Sequence, residues 1–98
     1  MAKHLVLWEI IPETMPTDPA ERAKIYGKWM ELTQKGKSGG KLLDWGVFSS
    51  GNGGYSISDM TPEEGFANAL QYAPYIKFTA YTVLSLEQVA KVMQSMPK

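Results

Sequence analysis

KLLDWGVFSSGNGGYSISDM, residues 41–60, is the stretch that sets the fold. Lys41 to Ser49 is rich in branched and aromatic residues and reads as a strand. Ser50-Gly51-Asn52-Gly53-Gly54 is a turn in which several residues can take positive φ. Tyr55 to Met60 follows as another strand, so the two form a hairpin. On the N-terminal side, Asp18-Pro19-Ala20-Glu21 has the form of a helix start, with Asp18 as cap, Pro19 at the first helical position and Glu21 closing a capping-box-like arrangement. Ile25, Trp29 and Leu32 recur at helical spacing beside Tyr26, and the glycines 36, 39 and 40 predict an end near Lys35. His4 to Ile11, halted by Pro12, is the first strand.

On the C-terminal side the same logic repeats. Thr61-Pro62-Glu63-Glu64 starts a helix whose apolar stripe is Phe66, Leu70 and Ala73, and Pro74 stops it. Lys77 to Leu84 is the fourth strand. Ser85-Leu86-Glu87-Gln88 opens a last helix with Leu86, Val89, Met93 and Met96 on one face. Two strand–helix–strand halves around a hairpin give an α+β chain of ferredoxin-like βαββαβ order. A four-stranded antiparallel sheet and a C-terminal helix are expected, within a single domain spanning 1–98.

Composition narrows the function. With 98 residues, a monomer would bury roughly 65% of its unfolded surface, enough for one thin core. Ten basic residues balance ten acidic ones. A neutral chain has no field to attract a polyanion, so nucleic acid and anionic membrane are not expected partners. There is no cysteine, which removes disulfides, thiolate metal sites and cysteine nucleophiles. The apolar run Leu5–Trp8 is too short for a signal peptide or a membrane span, and a cytoplasmic location is expected.

The strands do not alternate apolar and polar as a half-wet sheet should. In the first, His4, Val6, Trp8 and Ile10 oppose Leu5, Leu7, Glu9 and Ile11. In the second, Leu43, Trp45 and Val47 oppose Leu42, Asp44, Gly46 and Phe48. In the fourth, Phe78, Ala80, Thr82 and Leu84 oppose Thr79, Tyr81 and Val83. Apolar residues on both faces predict that the helix-free face is covered. A second copy laid sheet to sheet does this, giving a homodimer; the C-terminal helix folding over the face is the alternative.

Leu5-Val6-Leu7-Trp8, Lys28-Trp29, Gly53-Gly54-Tyr55, and Tyr72-Ala73-Pro74-Tyr75-Ile76-Lys77-Phe78 before Tyr81 form a wider pattern. With it, nearly the whole chain resembles an uncharacterised family of small bacterial and archaeal proteins in the dimeric α/β-barrel superfamily. The resemblance implies ferredoxin-like domains that pair their sheets into a barrel. The wider superfamily includes cofactor-free monooxygenases, isomerases and haem-handling enzymes, while the family itself has no settled activity.

Several residues invite chemistry. His4 is the sole histidine and a weak catalytic candidate, since its reference pKa is near neutral; it also suits a structural place at a strand end. With no second ligand at suggestive spacing, no metal is expected, and no cofactor is implied. Trp8, Trp45, Tyr55 and Tyr81 lie on strands and suit the wall of a small-molecule pocket, as well as an ordinary core or interface. Glu9, Asp44 and Asp59 are acidic residues in strands, costly if enclosed and then suited to acid–base work; near strand ends they reach water. Asp59 joins the two tryptophans and two tyrosines as the expected ligand-binding set.

Two motifs are rejected. Gly36-Lys37-Ser38 resembles the end of a phosphate-binding loop, but Glu31 stands where the first glycine belongs, and the order is helix–loop–strand. An RNA-recognition sheet needs stacking aromatics on its third strand; here Gly54 and Tyr55 fit, but Gly53, Ile57 and Met60 do not. The expected function is therefore small-molecule binding, of an apolar or aromatic ligand between sheet and helices. A cofactor-free monooxygenase or isomerase is the alternative, and a purely structural protein a further one.

Overall fold

The computed structural model describes residues 3–97. Its elements are β1 (Lys3–Ile10), a 3-10 turn (Pro12–Thr14), α1 (Pro19–Ser38), β2 (Leu42–Val47), β3 (Gly53–Ser58), α2 (Pro62–Leu70), β4 (Ile76–Val83) and α3 (Leu86–Gln94). The four strands form one antiparallel sheet in the order β2-β3-β1-β4. The chain is α+β and compatible with a ferredoxin-like arrangement, with β1 and β3 central and the outer strands supplied by the two halves.

Helix starts follow local chemistry. Thr61 Oγ1 accepts from the Glu64 amide at 3.2 Å, and Glu64 Oε1 accepts from the Thr61 amide at 2.9 Å. Ser85 and Gln88 build the same reciprocal cap on α3, at 3.1 and 2.7 Å. Asp18 occupies the cap position of α1 and Pro19 its first turn, but the Asp18 side chain makes no cap bond; the expected capping box there is absent. α1 also runs three residues beyond Lys35, through Gly36. A Cβ at Gly36 would sit 3.3 Å from the Leu42 Cβ, so this glycine lets α1 pass close over β2.

Register decides which face meets the helices. His4, Val6 and Trp8 stand opposite Ser58, Ser56 and Gly54 on one side, and opposite Thr82, Ala80 and Phe78 on the other. This face lies under α1 and α2. Leu5, Leu7, Glu9, Tyr55, Ile57, Thr79, Tyr81 and Val83 share the helix-free face. A bulge between Leu42 and Asp44 changes the expected alternation of β2: Leu42 pairs with Ser58 and Trp45 with Ser56, so both face the helices, and Leu43 is exposed. In the hairpin turn, Gly51 alone takes the left-handed conformation, with φ +79°.

The core is thin. Among the described residues Met15 is the one buried apolar side chain, and no large side chain is fully buried. Ile25, Trp29 and Leu32 of α1 are half-buried as their spacing predicts. The expected stripe of α2 is less covered: Phe66 is 66% exposed and Leu70 is also exposed. α3 does not fold over the helix-free face; all its residues are exposed.

Candidate functional site

The space between sheet and helices contains two adjoining chambers. The inner one, about 70 Å³, is lined by Trp8, Trp29, Thr33, Trp45, Ser56, Asn68, Tyr72, Ile76 and Phe78, among others. The outer one, about 410 Å³, runs along α2 and β4 and is lined by His4, Val6, Ser58, Phe66, Ala69, Ala80 and Thr82. Leu42, Ser56, Met60, Asn68 and Phe78 border both. The space exists because β3 presents small residues to the helices. Gly54, Ser56 and Ser58 are buried there, while Tyr55 and Ile57 point to the helix-free face.

Trp8 and Trp45 stack at 5.8 Å between ring centroids, with 9° between their planes. Gly54 makes this possible: a Cβ there would run into the Trp8 indole and the Gly46 carbonyl. Trp29, on the wall, is held by a tilted contact with Tyr26 at 5.4 Å and an edge contact with Tyr75 at 6.1 Å. Tyr72 meets Phe78 at 5.6 Å. Burial pushes the Tyr72 phenol above its ordinary pKa, and the Thr33 hydroxyl beside it pulls part of that back. The Thr33 hydroxyl itself donates to the Trp29 carbonyl at 2.8 Å. The Trp8 indole N–H is different: it is buried and, among the described residues, it is the one buried side-chain polar atom with no hydrogen-bond partner.

Of the residues singled out in the sequence, Trp8 and Trp45 come together on the cavity wall. His4 lies on the outer chamber, with Nδ1 at 3.5 Å from the Thr82 hydroxyl. Tyr55 and Tyr81 sit on the helix-free face. Tyr55 donates to Asp44 Oδ2 at 2.8 Å, and that bond, with some burial and the carboxylate charge, raises the phenol's pKa. Asp44 Oδ1 also accepts from the Trp45 amide at 2.9 Å. Glu9 is exposed, and Asp59 is half-buried just beyond β3, lining neither chamber. Thus Glu9 and Asp44 are spent away from the cavity. Sequence reasoning missed Ser56, Ser58, Asn68 and Tyr72. The available signal was the run of small residues at 54, 56 and 58, alternating with Tyr55 and Ile57.

Among the described residues no three His, Cys, Asp or Glu side chains converge to hold a metal ion, and no helix is long and apolar enough to cross a membrane. The chambers can therefore offer an aromatic slot with scattered hydroxyls and amides; the unpartnered Trp8 N–H lies within the wall, out of reach of solvent. No protein-family model matches the chain, and no curated protein is similar to it.

Proposed function

We propose that this chain is a ferredoxin-like protein whose sheets pair as a dimeric α/β barrel, and that it binds a small apolar or aromatic molecule bearing a hydrogen-bond acceptor. The carrying observation is an aromatic cavity wall that includes Trp8, whose indole N–H is buried within that wall without a partner. A buried donor without a partner costs about 1–3 kcal/mol, and a ligand oxygen that reached it through a small shift of the wall would recover that cost. The adjoining outer chamber, at about 410 Å³, has the size of ordinary small-molecule sites; Trp8 and Trp45 border the inner one, about 70 Å³. Trp8 and Trp45 lie on the helix side of the sheet, so pairing through the other face leaves them free to line a site. This favours binding over a purely structural use of the aromatics.

Benzaldehyde and toluene separate the donor from the slot, since they share ring size and differ in the acceptor. Ligand-observed NMR should show benzaldehyde binding roughly tenfold tighter, the equivalent of one hydrogen bond of about 1–1.5 kcal/mol. Trp8→Phe keeps a ring and removes the N–H, so it should erase that preference. Equal affinities in the unmodified protein, or no binding of either compound, would sink the proposal.

Cofactor-free monooxygenase or isomerase chemistry is the second reading, and His4 carries it, as an imidazole on the wall of the outer chamber. Recovery of the bound molecule unchanged after long incubation in air selects binding over turnover.

A further inference from the structure

We infer that α3 is exchanged between two copies of this chain, each laying its apolar stripe into the groove between α2 and β4 of the other. The inference rests on the homodimer reading above; the groove is the outer chamber, so α3 and a small ligand would compete for it.

α3 is a well-specified helix with nothing to pack on in its own chain. At 100° per residue, Leu86, Val89, Val92 and Met93, continued by Met96, fall within about 120° of arc, the width of a core-facing stripe. Glu87, Gln88, Lys91 and Gln94 fill the opposite side. Yet Leu86 is 85% exposed and Met93 63%. An isolated helix needs about 12–15 residues to be even marginally stable in water, and α3 has nine. Its reciprocal Ser85–Gln88 cap fixes where it begins; packing must supply the rest.

The dimensions indicate how much surface is waiting. The chain measures 61 × 25 × 23 Å with a radius of gyration of 16.4 Å, against about 13 Å for a compact domain of this length. It exposes 7282 Å², whereas a folded monomer of 10.9 kDa exposes about 5600 Å². The excess of about 1700 Å² per chain matches what each partner buries in a permanent homodimer, about 1000–2500 Å².

The receiving groove is on the same molecule. Val6, Met60, Phe66, Ala69, Phe78 and Ala80 line it, and Phe66 leaves most of its ring uncovered at the rim. A two-fold axis makes the exchange reciprocal, so both grooves and both helices are satisfied at once. The occupant is a second copy because the surface each chain leaves open is of the size a permanent homodimer buries, and a two-fold axis supplies one stripe for each groove.

The native chain has no cysteine, so introduced thiols report unambiguously. Met93→Cys is placed in one preparation and Ala69→Cys in another carrying a size tag; the two are equilibrated and treated with a short bismaleimide. The expected product is the mixed 93–69 cross-linked pair, in excess over either self-pair. Adding Val89→Glu to the Met93→Cys chain should cut that product at least fivefold, and an undiminished yield would mean random encounter and overturn the inference. In a single chain carrying both cysteines, an intramolecular 93–69 link would also overturn it, because α3 would then close over its own groove. So would no mixed product from a protein that sediments as a dimer; the sheet-to-sheet pairing would then stand without the exchange. A protein that sediments as a monomer would defeat both readings.

Discussion

Gly54 shows how one missing side chain shapes the cavity. Trp8 crosses β3 at Gly54 to reach Trp45, and any Cβ there meets both the indole and the Gly46 carbonyl. Gly54→Ala should destabilise the protein by about 1–3 kcal/mol, the usual cost of overpacking. It should also weaken the near-ultraviolet circular dichroism of the stacked indoles at temperatures where the chain is still folded. An unchanged denaturation midpoint and spectrum would mean that the stack does not depend on this position. The glycine run was legible as a turn, because turn chemistry is local. Its use as a floor for Trp8 was not, because that depends on the pairing of Trp8 with Gly54, a contact between residues far apart in sequence. Ser56 and Ser58 were opaque for the same reason. By polarity alone they belong outside and Tyr55 and Ile57 inside, and the structure places them the other way round.

At the scale of elements, what the sequence disclosed was what neighbouring residues decide. Thr61–Glu64 and Ser85–Gln88 have the spacing of a capping box, and both form it. Asp18 has a compatible residue in place without the bond. The bulge in β2 was not legible, since it inserts a residue that only the partner strand can count. The cap of α2 carries a testable charge. Glu64 accepts from the Thr61 backbone N–H and pairs with Lys41 Nζ at 3.0 Å, and these contacts, the backbone bond first, lower its pKa below the ordinary 4.5. A carboxyl depressed in the folded state adds stability above its unfolded value and loses it as pH falls through the folded one. Stability should therefore decline on acidification below about pH 4.5. Glu64→Gln, which can still accept from Thr61, should flatten that part of the profile in chemical denaturation at stepped pH. An identical acid limb in both proteins would show that the Glu64 charge contributes nothing.

For the whole molecule, the decisive asymmetry is between the two faces of the sheet. The helix-covered face holds glycine, serines and alanine beside its tryptophans; the helix-free face holds Leu5, Leu7, Tyr55, Ile57, Tyr81 and Val83. Tyr81 is 52% exposed and Leu7 39%. A monomer that put its small residues inward and this row outward would be arranged against the hydrophobic effect. A dimer paired through the row would not, which is why both-sided strand hydrophobicity could be read from the sequence while the occupant of each face could not. Leu7 sits mid-row, between Tyr55 on β3 and Thr79 on β4. In a monomer, Leu7→Glu places a charge where water reaches it, a change worth within about 0.5 kcal/mol. In a sheet-to-sheet dimer the same charge is stripped of water twice over, once in each copy, with no partner to offset it. Leu7→Glu should therefore leave the thermal midpoint of the isolated chain nearly intact while raising the dimer dissociation constant at least a hundredfold, about 2.7 kcal/mol or more. Light scattering should then report a single 10.9 kDa chain where the proposed dimer would give two. If Leu7→Glu stays dimeric, the copies are held together by something other than this face, the exchange of α3 included.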